Sequence, residues 1–331
     1  MLLCLSRQEN NQIRGVNILS IGRSGSQSSL LKSVIKHRNI YIMVLPCIVF
    51  FIVFSYIPMS GIIVAFKDYS FAKGIFKSPW EESYGLQNFI DFFNYFEFGS
   101  IVKNTFVTGF VKSIIAFPFP ILFALLVNEI FNSKFKKVVQ TVSYMPYFLS
   151  WAVVSLMVFR VLSPDDGLLN QIKALFGGEP GTFYMMEEKY FYIILLLSLI
   201  WKSIGWNSII YLAAISGINP ELYEAARIDG AGKLRQTWHV TLAGIKPTMG
   251  ILFIMSIGSI VTAGFEQNYL LRTPGNMRVA DIIDVYVVIQ GFQQGKYAYA
   301  TAIGLLQGII GLIMVVTANR LSKKYLEVSI W

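Results

Sequence analysis

Charge is scarce in this sequence. Only 14% of the 331 residues are Asp, Glu, Lys or Arg, against about 25% in soluble domains. Histidine is rarer still, with His37 and His239 alone. Neither stands in an H-E-x-x-H pattern or beside other ligand-type residues, so no metal site is legible. Cys4 and Cys47 are the only cysteines. That excludes a disulfide framework, and Cys4 lies too near the start to follow a signal sequence and carry a lipid anchor. No G-x-x-x-x-G-K-[ST] phosphate loop occurs, since "AGKL" and "QGKY" lack the leading glycine and the Ser/Thr. No basic stripe is interleaved with aromatics, so the net charge of +9 does not call for nucleic acid. What remains is a pathway or a scaffold, with no active site, metal or cofactor of its own.

Apolar residues are abundant. They make up 54% of the chain, and the mean hydropathy is +0.55. Six runs reach the roughly 20 residues that cross a bilayer: 40–66, 100–131, 142–162, 190–213, 248–271 and 297–318. A soluble chain of this length could not enclose so much apolar surface. The pattern predicts an all-α polytopic membrane protein with six transmembrane helices. Residues 1–35 form a separate polar segment rich in Ser, Asn and Gly, expected to be cytoplasmic and largely disordered; 36–331 form the membrane domain.

The basic residues give an orientation. With the N-terminus inside, the inner segments 1–39, 132–141, 214–247 and 319–331 hold 16 Lys and Arg, and the outer loops 67–99, 164–189 and 272–294 hold 7. Acidic residues divide 5 inside to 12 outside. The excess of Lys and Arg places both termini in the cytoplasm of a multi-pass cell-membrane protein. In the 164–189 loop, "GLLNQIKALFGG" has helical apolar spacing and predicts an interfacial helix on the outer surface. "AIGLLQGIIG" holds Gly304 and Gly308 at the G-x-x-x-G spacing that lets helices approach closely.

The longest inner loop, about 214–247, contains "NPELYEAARIDGAGKLRQTW". Asn219 suits a helix N-cap, Pro220 the first helical position, and Glu221 the positive end of the helix. Gly230 and Gly232 then end or bend the helix. A second helix is expected from Lys233 to Ala243, before Pro247 marks the approach to the fifth span. This unit is either an ordinary amphipathic connector or a small-sided helix that docks in a partner's groove.

Glu224-Ala225-Ala226 followed by Asp229-Gly230-Ala231 and "HVTLAGIKP" resembles the EAA loop of ABC-importer permeases. Ala243 stands where that pattern has proline. "FSYIPMSGIIVAFKDYS", "YMPYFLSWAVVS", "IWKSIGWNSIIYLAAISGI" and "ADIIDVYVVIQG" extend the likeness from about residue 40 to the end, to the permeases of oligosaccharide importers related to the maltose importer. The resemblance implies a type I ABC-importer permease fold in which 224–226 and 229–231 form the coupling site. It also implies a second homologous permease in a heterodimer, two cytosolic ATPase subunits that use the ATP, and an extracellular solute-binding lipoprotein. The rival class is a polytopic membrane enzyme or regulatory scaffold, which should show clustered acidic or His groups at one membrane face.

Ionisable groups inside a span cost about 2.5–3.5 kcal/mol each near its centre, so Lys112, Arg160, Lys202 and Glu266 need partners or a polar path. Arg160 and Glu266 lie near outer ends, where snorkelling serves. Lys202 sits in mid-span between Trp201 and Trp206, and aromatics beside polar groups suit sugar rings. An internal salt bridge or a packing role for Lys202 is the alternative. Lys112, Tyr144, Trp201, Lys202, Trp206, Asn207, Glu266 and Asn268 are the candidate substrate path. Should both lysines line it, an acidic, pectin-derived oligosaccharide is expected over a neutral one.

Overall fold

The computed structural model describes residues 36–179 and 181–325; the readings on 1–35, Cys4 included, lie outside them. Among the described residues all regular structure is helical, apart from one isolated bridge between Lys67 and Trp80. Contacts divide the chain into two units, Met1–Ser60 and Gly61–Trp331. In the first, the helix from Arg38 buries none of its side chains up to Met59, and Cys47 is a free thiol. An apolar helix exposed all round needs lipid or protein about it.

Among the described residues five helices are long and apolar enough to cross a membrane: α1 (Arg38–Phe66), α3 (Phe98–Asn128), α7 (Glu188–Ser216), α9 (Lys233–Gly258) and α12 (Tyr297–Tyr325). Between the first two lies the short α2 (Gln87–Asn94), which turns Asn88 and Phe92 inward. The expected third span, 142–162, is not one helix. α4 (Ser133–Phe148) and α5 (Trp151–Val161) meet at 102°, so a sixth crossing exists only if that bent pair is counted as one. Pro146 tightens the end of α4 into a 3₁₀ turn, Leu149 is extended, and the Ser150 hydroxyl accepts from Val153 N (3.3 Å) to start α5 afresh. The hydropathy of the run continues through a stop that its backbone chemistry imposes.

The fifth span also departs from the reading. The helix expected at Lys233–Ala243 does not stop; it runs on as α9 to Gly258, with Pro247 inside it. Then 259–264 are irregular, and Gly264, at φ +89, starts α10 (Phe265–Leu271). The expected 248–271 helix is therefore the end of one helix and a second short one, parted by the break at 259–264. The loop helix in "GLLNQIKALFGG" does form, as α6 (Leu168–Leu175). Its Asn170 side chain is buried and donates to Ser163 O (2.8 Å) and Thr182 O (2.9 Å), closing the loop on itself.

Small residues set the close helix contacts, as they do where lipid removes the usual apolar driving force. A Cβ on Gly205 of α7 would collide with the Ser143 backbone of α4, and one on Gly109 of α3 with the Ile260 carbonyl. Gly304 and Gly308 do not serve in this way. Nothing among the described residues comes within 4 Å of a Cβ built on either. Ile121, Ala124, Tyr211, Ile215 and Ile245 join α3, α7 and α9 in one core. Phe92, Ile101, Tyr286 and Ile303 join α2, α3 and α12 with α11 (Ile283–Val288) in another.

Candidate functional site: a cavity at two helix breaks and an exposed loop helix

Both intramembrane lysines sit at breaks. The carbonyls at a helix end lack intrahelical donors and must find others. Lys202, on α7, donates from Nζ to Tyr147 O (2.7 Å) and to Leu149 O, the carbonyls exposed where α4 ends. Its ammonium lies 5.3 Å from the Tyr147 ring and 5.5 Å from the Trp151 ring, within cation–π range. Trp206 stacks on Tyr147 at 4.6 Å, with 5° between the planes. Lys112 does the same for the other break. It lies in a π turn of α3, Val111–Ile115, and donates to Ala263 O (2.7 Å) and Asn268 Oδ1 (2.9 Å). Gln307 of α12 reaches the same loop, donating to Val261 O (2.7 Å) and Asp284 Oδ1 (2.9 Å). Beyond α10, Arg272 and Asp281 form a two-point ion pair; that hydrogen bond and charge hold the guanidinium pKa above its ordinary value.

Between the breaks lies a cavity of about 590 Å³. Of the expected path residues, Lys112, Asn207 and Glu266 line it. Asn268 is buried behind Lys112. Tyr144, Trp201, Lys202 and Trp206 are not among its walls, and Trp201 faces outward at 45% exposure. The sequence reading missed Trp151, Ser203, Tyr211, Ser256 and Thr262, all lining residues. Ser203, Asn207 and Tyr211 are four apart, one face of α7, and that polar stripe on an apolar helix was the available signal. Hydroxyls and amides beside Phe117, Trp151 and Phe265 make a lining suited to flat, hydroxyl-edged rings.

The loop helix α8 (Pro220–Ile228) forms at the far end of α7. Asn219 Oδ1 accepts from Glu221 N (3.1 Å), the expected cap. At its other end Ala231 N donates to Ala226 O (2.8 Å) and Gly230 N to Arg227 O (3.0 Å). With Gly230 at φ +77, this is the glycine-terminated helix end known as the Schellman motif. Tyr223 Oη and Thr241 Oγ1, 3.0 Å apart, fasten α8 to the start of α9. Lys233 reaches Glu129 at 3.4 Å and lies over Phe131. Glu224, Ala225, Asp229 and Gly230 are exposed; Ala226 and Ala231 are half-buried. Leu222, Ile228, Leu234 and Trp238 are all more than half exposed, leaving an apolar patch on the loop.

Residues 116–327 match the family described as "Binding-protein-dependent transport system inner membrane component". The chain belongs to that family. It is a transport permease, not an enzyme. The chain is 44% identical over 311 residues to the polygalacturonan/rhamnogalacturonan transport system permease protein YteP of Bacillus subtilis, covering 94% of this chain and 96% of that one. It is 38% identical over 312 residues to Protein LplB of the same organism, with 94% and 96% covered. Among solved structures, a bacterial ABC transporter involved in the import of the acidic polysaccharide alginate contains a chain 35% identical, at a TM-score of 0.82. The match covers 89% of this permease and 99% of that chain. The same type of transporter in complex with an alginate pentasaccharide-bound periplasmic protein gives 34% and 0.83, over 91% and 99%.

Proposed function

We propose that this permease forms half of a translocation path for acidic oligosaccharides in an ATP-driven importer. A second homologous permease completes the path, two cytosolic ATPase subunits supply the ATP, and an extracellular binding lipoprotein delivers the sugar. The cavity carries the reading: it brings aromatic faces, hydroxyls and Lys112 together at the two helix breaks. An ammonium has three N–H donors; two of Lys112's are spent on Ala263 and Asn268, which leaves a third for a uronate carboxylate. Lys202 turns its charge to the backbone, so the preference for acidic sugars rests on Lys112 and on the substrates named for the relatives. Competition tests it. Uptake of a labelled galacturonate tetramer should fall with excess unlabelled uronate oligomer and stay unchanged with a neutral tetramer. Equal inhibition by both would remove the acidic substrate.

In this reading both termini and α8 are cytoplasmic, α6 and the 67–99 loop are extracellular, and Glu224, Ala225, Ala226, Asp229, Gly230 and Ala231 meet the ATPase. The same reading puts residues 1–35 in the cytoplasm. In a variant lacking Cys4 and Cys47, cysteines at the exposed positions Ala72 and Leu175 should react with an impermeant maleimide on whole cells. One at exposed Ser133 should react only after permeabilisation. Labelling of Ser133→Cys on intact cells would invert the topology. Ser78 is unsuitable as a reporter, because it is buried and its hydroxyl donates to Gly74 O at 2.7 Å.

A further inference from the structure

A second cavity, of about 670 Å³, lies between the 67–99 loop and the start of α12. Its walls bring together Asp68, Glu81 and Asp91 with Tyr69, Tyr95, Tyr286, Tyr297 and Tyr299. None of the three carboxylates is in an ion pair among the described residues. Lys67, next to Asp68, turns its ammonium inward to Phe76 O and Ser78 O, both at 3.1 Å. Lys296 lines the rim, exposed and unpaired with these acids. With Lys296 counted, the cavity keeps an excess of two negative charges. Burial first, and then the nearby Asp68, push the Glu81 carboxyl pKa up.

A second observation points the same way. Gln290 is 7% exposed and lines this cavity, and its Oε1 is buried without a hydrogen-bond partner. A buried acceptor left alone costs about 1–3 kcal/mol, so the site lacks a donor. The cavity thus gathers acceptors: three carboxylates, of which Asp91 already accepts from Gln87 Nε2 (2.7 Å), the unpartnered Gln290 oxygen and the negative faces of tyrosines. A metal ion does not fit, because no three carboxylates among the described residues come close enough to hold one. A uronate does not fit either, since the net charge repels it. An ammonium or guanidinium satisfies every term, with ring faces and carboxylates sharing one cation.

We infer that this cavity receives a lysine or arginine side chain of the extracellular binding protein when it docks. This rests on the topology and partners proposed above, which put the cavity on the outer face. The importer, reconstituted in lipid nanodiscs with its binding protein, provides the test. In the double variant Glu81→Gln, Asp91→Asn, the binding-protein concentration that half-maximally stimulates ATP hydrolysis should rise about tenfold or more. The maximal rate at saturation should be kept. Affinity in the parent should fall as salt is raised from 50 to about 300 mM, and in the variant hardly change. Free arginine ethyl ester should raise the half-saturating concentration in the parent alone. An unchanged half-saturating concentration in the variant would overturn the pocket. Absence of any stimulation in the parent would instead overturn the importer assignment.

Discussion

Gly230→Leu should abolish ATP-driven uptake while the protein still folds and inserts. Two causes are separable. Gly230 stands at φ +77, where a side chain costs roughly 1–2 kcal/mol. Yet a Cβ there meets nothing within 4 Å among the described residues, so the first added carbon has no steric cost. Any steric effect belongs to a partner seated on α8, and a well-filled groove charges about 1–3 kcal/mol for extra atoms. Gly230→Asn tests this, because asparagine tolerates the left-handed conformation and keeps the helix end. On the coupling role proposed here it should still lower uptake about tenfold, with a thermal midpoint close to the parent's. Parental uptake by Gly230→Asn would reduce Gly230 to a helix stop.

Lys112→Met should have the larger effect on the fold. It strips the donor from Ala263 O and Asn268 Oδ1, and each unsatisfied buried acceptor costs about 1–3 kcal/mol. The 259–264 break should loosen, with a marked drop in thermal midpoint in detergent and little uptake. Lys202→Met should destabilise similarly, by orphaning the Tyr147 and Leu149 carbonyls. The two then differ in selectivity. Residual uptake by Lys112→Met should lose its preference for uronate over neutral oligomers, and that of Lys202→Met should keep it. Retained preference in both would remove Lys112 from substrate recognition.

Sequence made parts of this architecture readable because they are local. Hydropathy marks four of the five long helices, α1, α3, α7 and α12, within a few residues at most of their ends, since length and apolarity suffice to define them, whereas α9 begins well before its expected start. Asn219, Pro220 and Gly230 announced the ends of α8, because capping depends on adjacent residues. The breaks after Phe148 and Gly258 stayed hidden, as hydropathy does not change where the backbone turns. Pro146, Ser150 and Gly264 were the clues, and each also occurs in unbroken spans. The lysines were recognised as needing partners, but those partners are carbonyls 53 and 151 residues away in the chain. Such distances depend on helix packing that no periodicity encodes. Trp201, flanking Lys202, was read as a path residue from adjacency alone, whereas successive helical residues point about 100° apart. Gly304 and Gly308 keep their close-approach spacing without a neighbour within 4 Å of a Cβ among the described residues.

The most direct measurement is transport by the purified complex of this chain with its second permease, ATPase subunits and binding protein, sealed in liposomes. A labelled galacturonate oligomer bound to the binding protein is supplied outside. The account predicts accumulation inside that requires ATP on the ATPase side and is lost when Gly230→Leu replaces the parent chain. Accumulation of equal extent without ATP, or undiminished with Gly230→Leu, would contradict it.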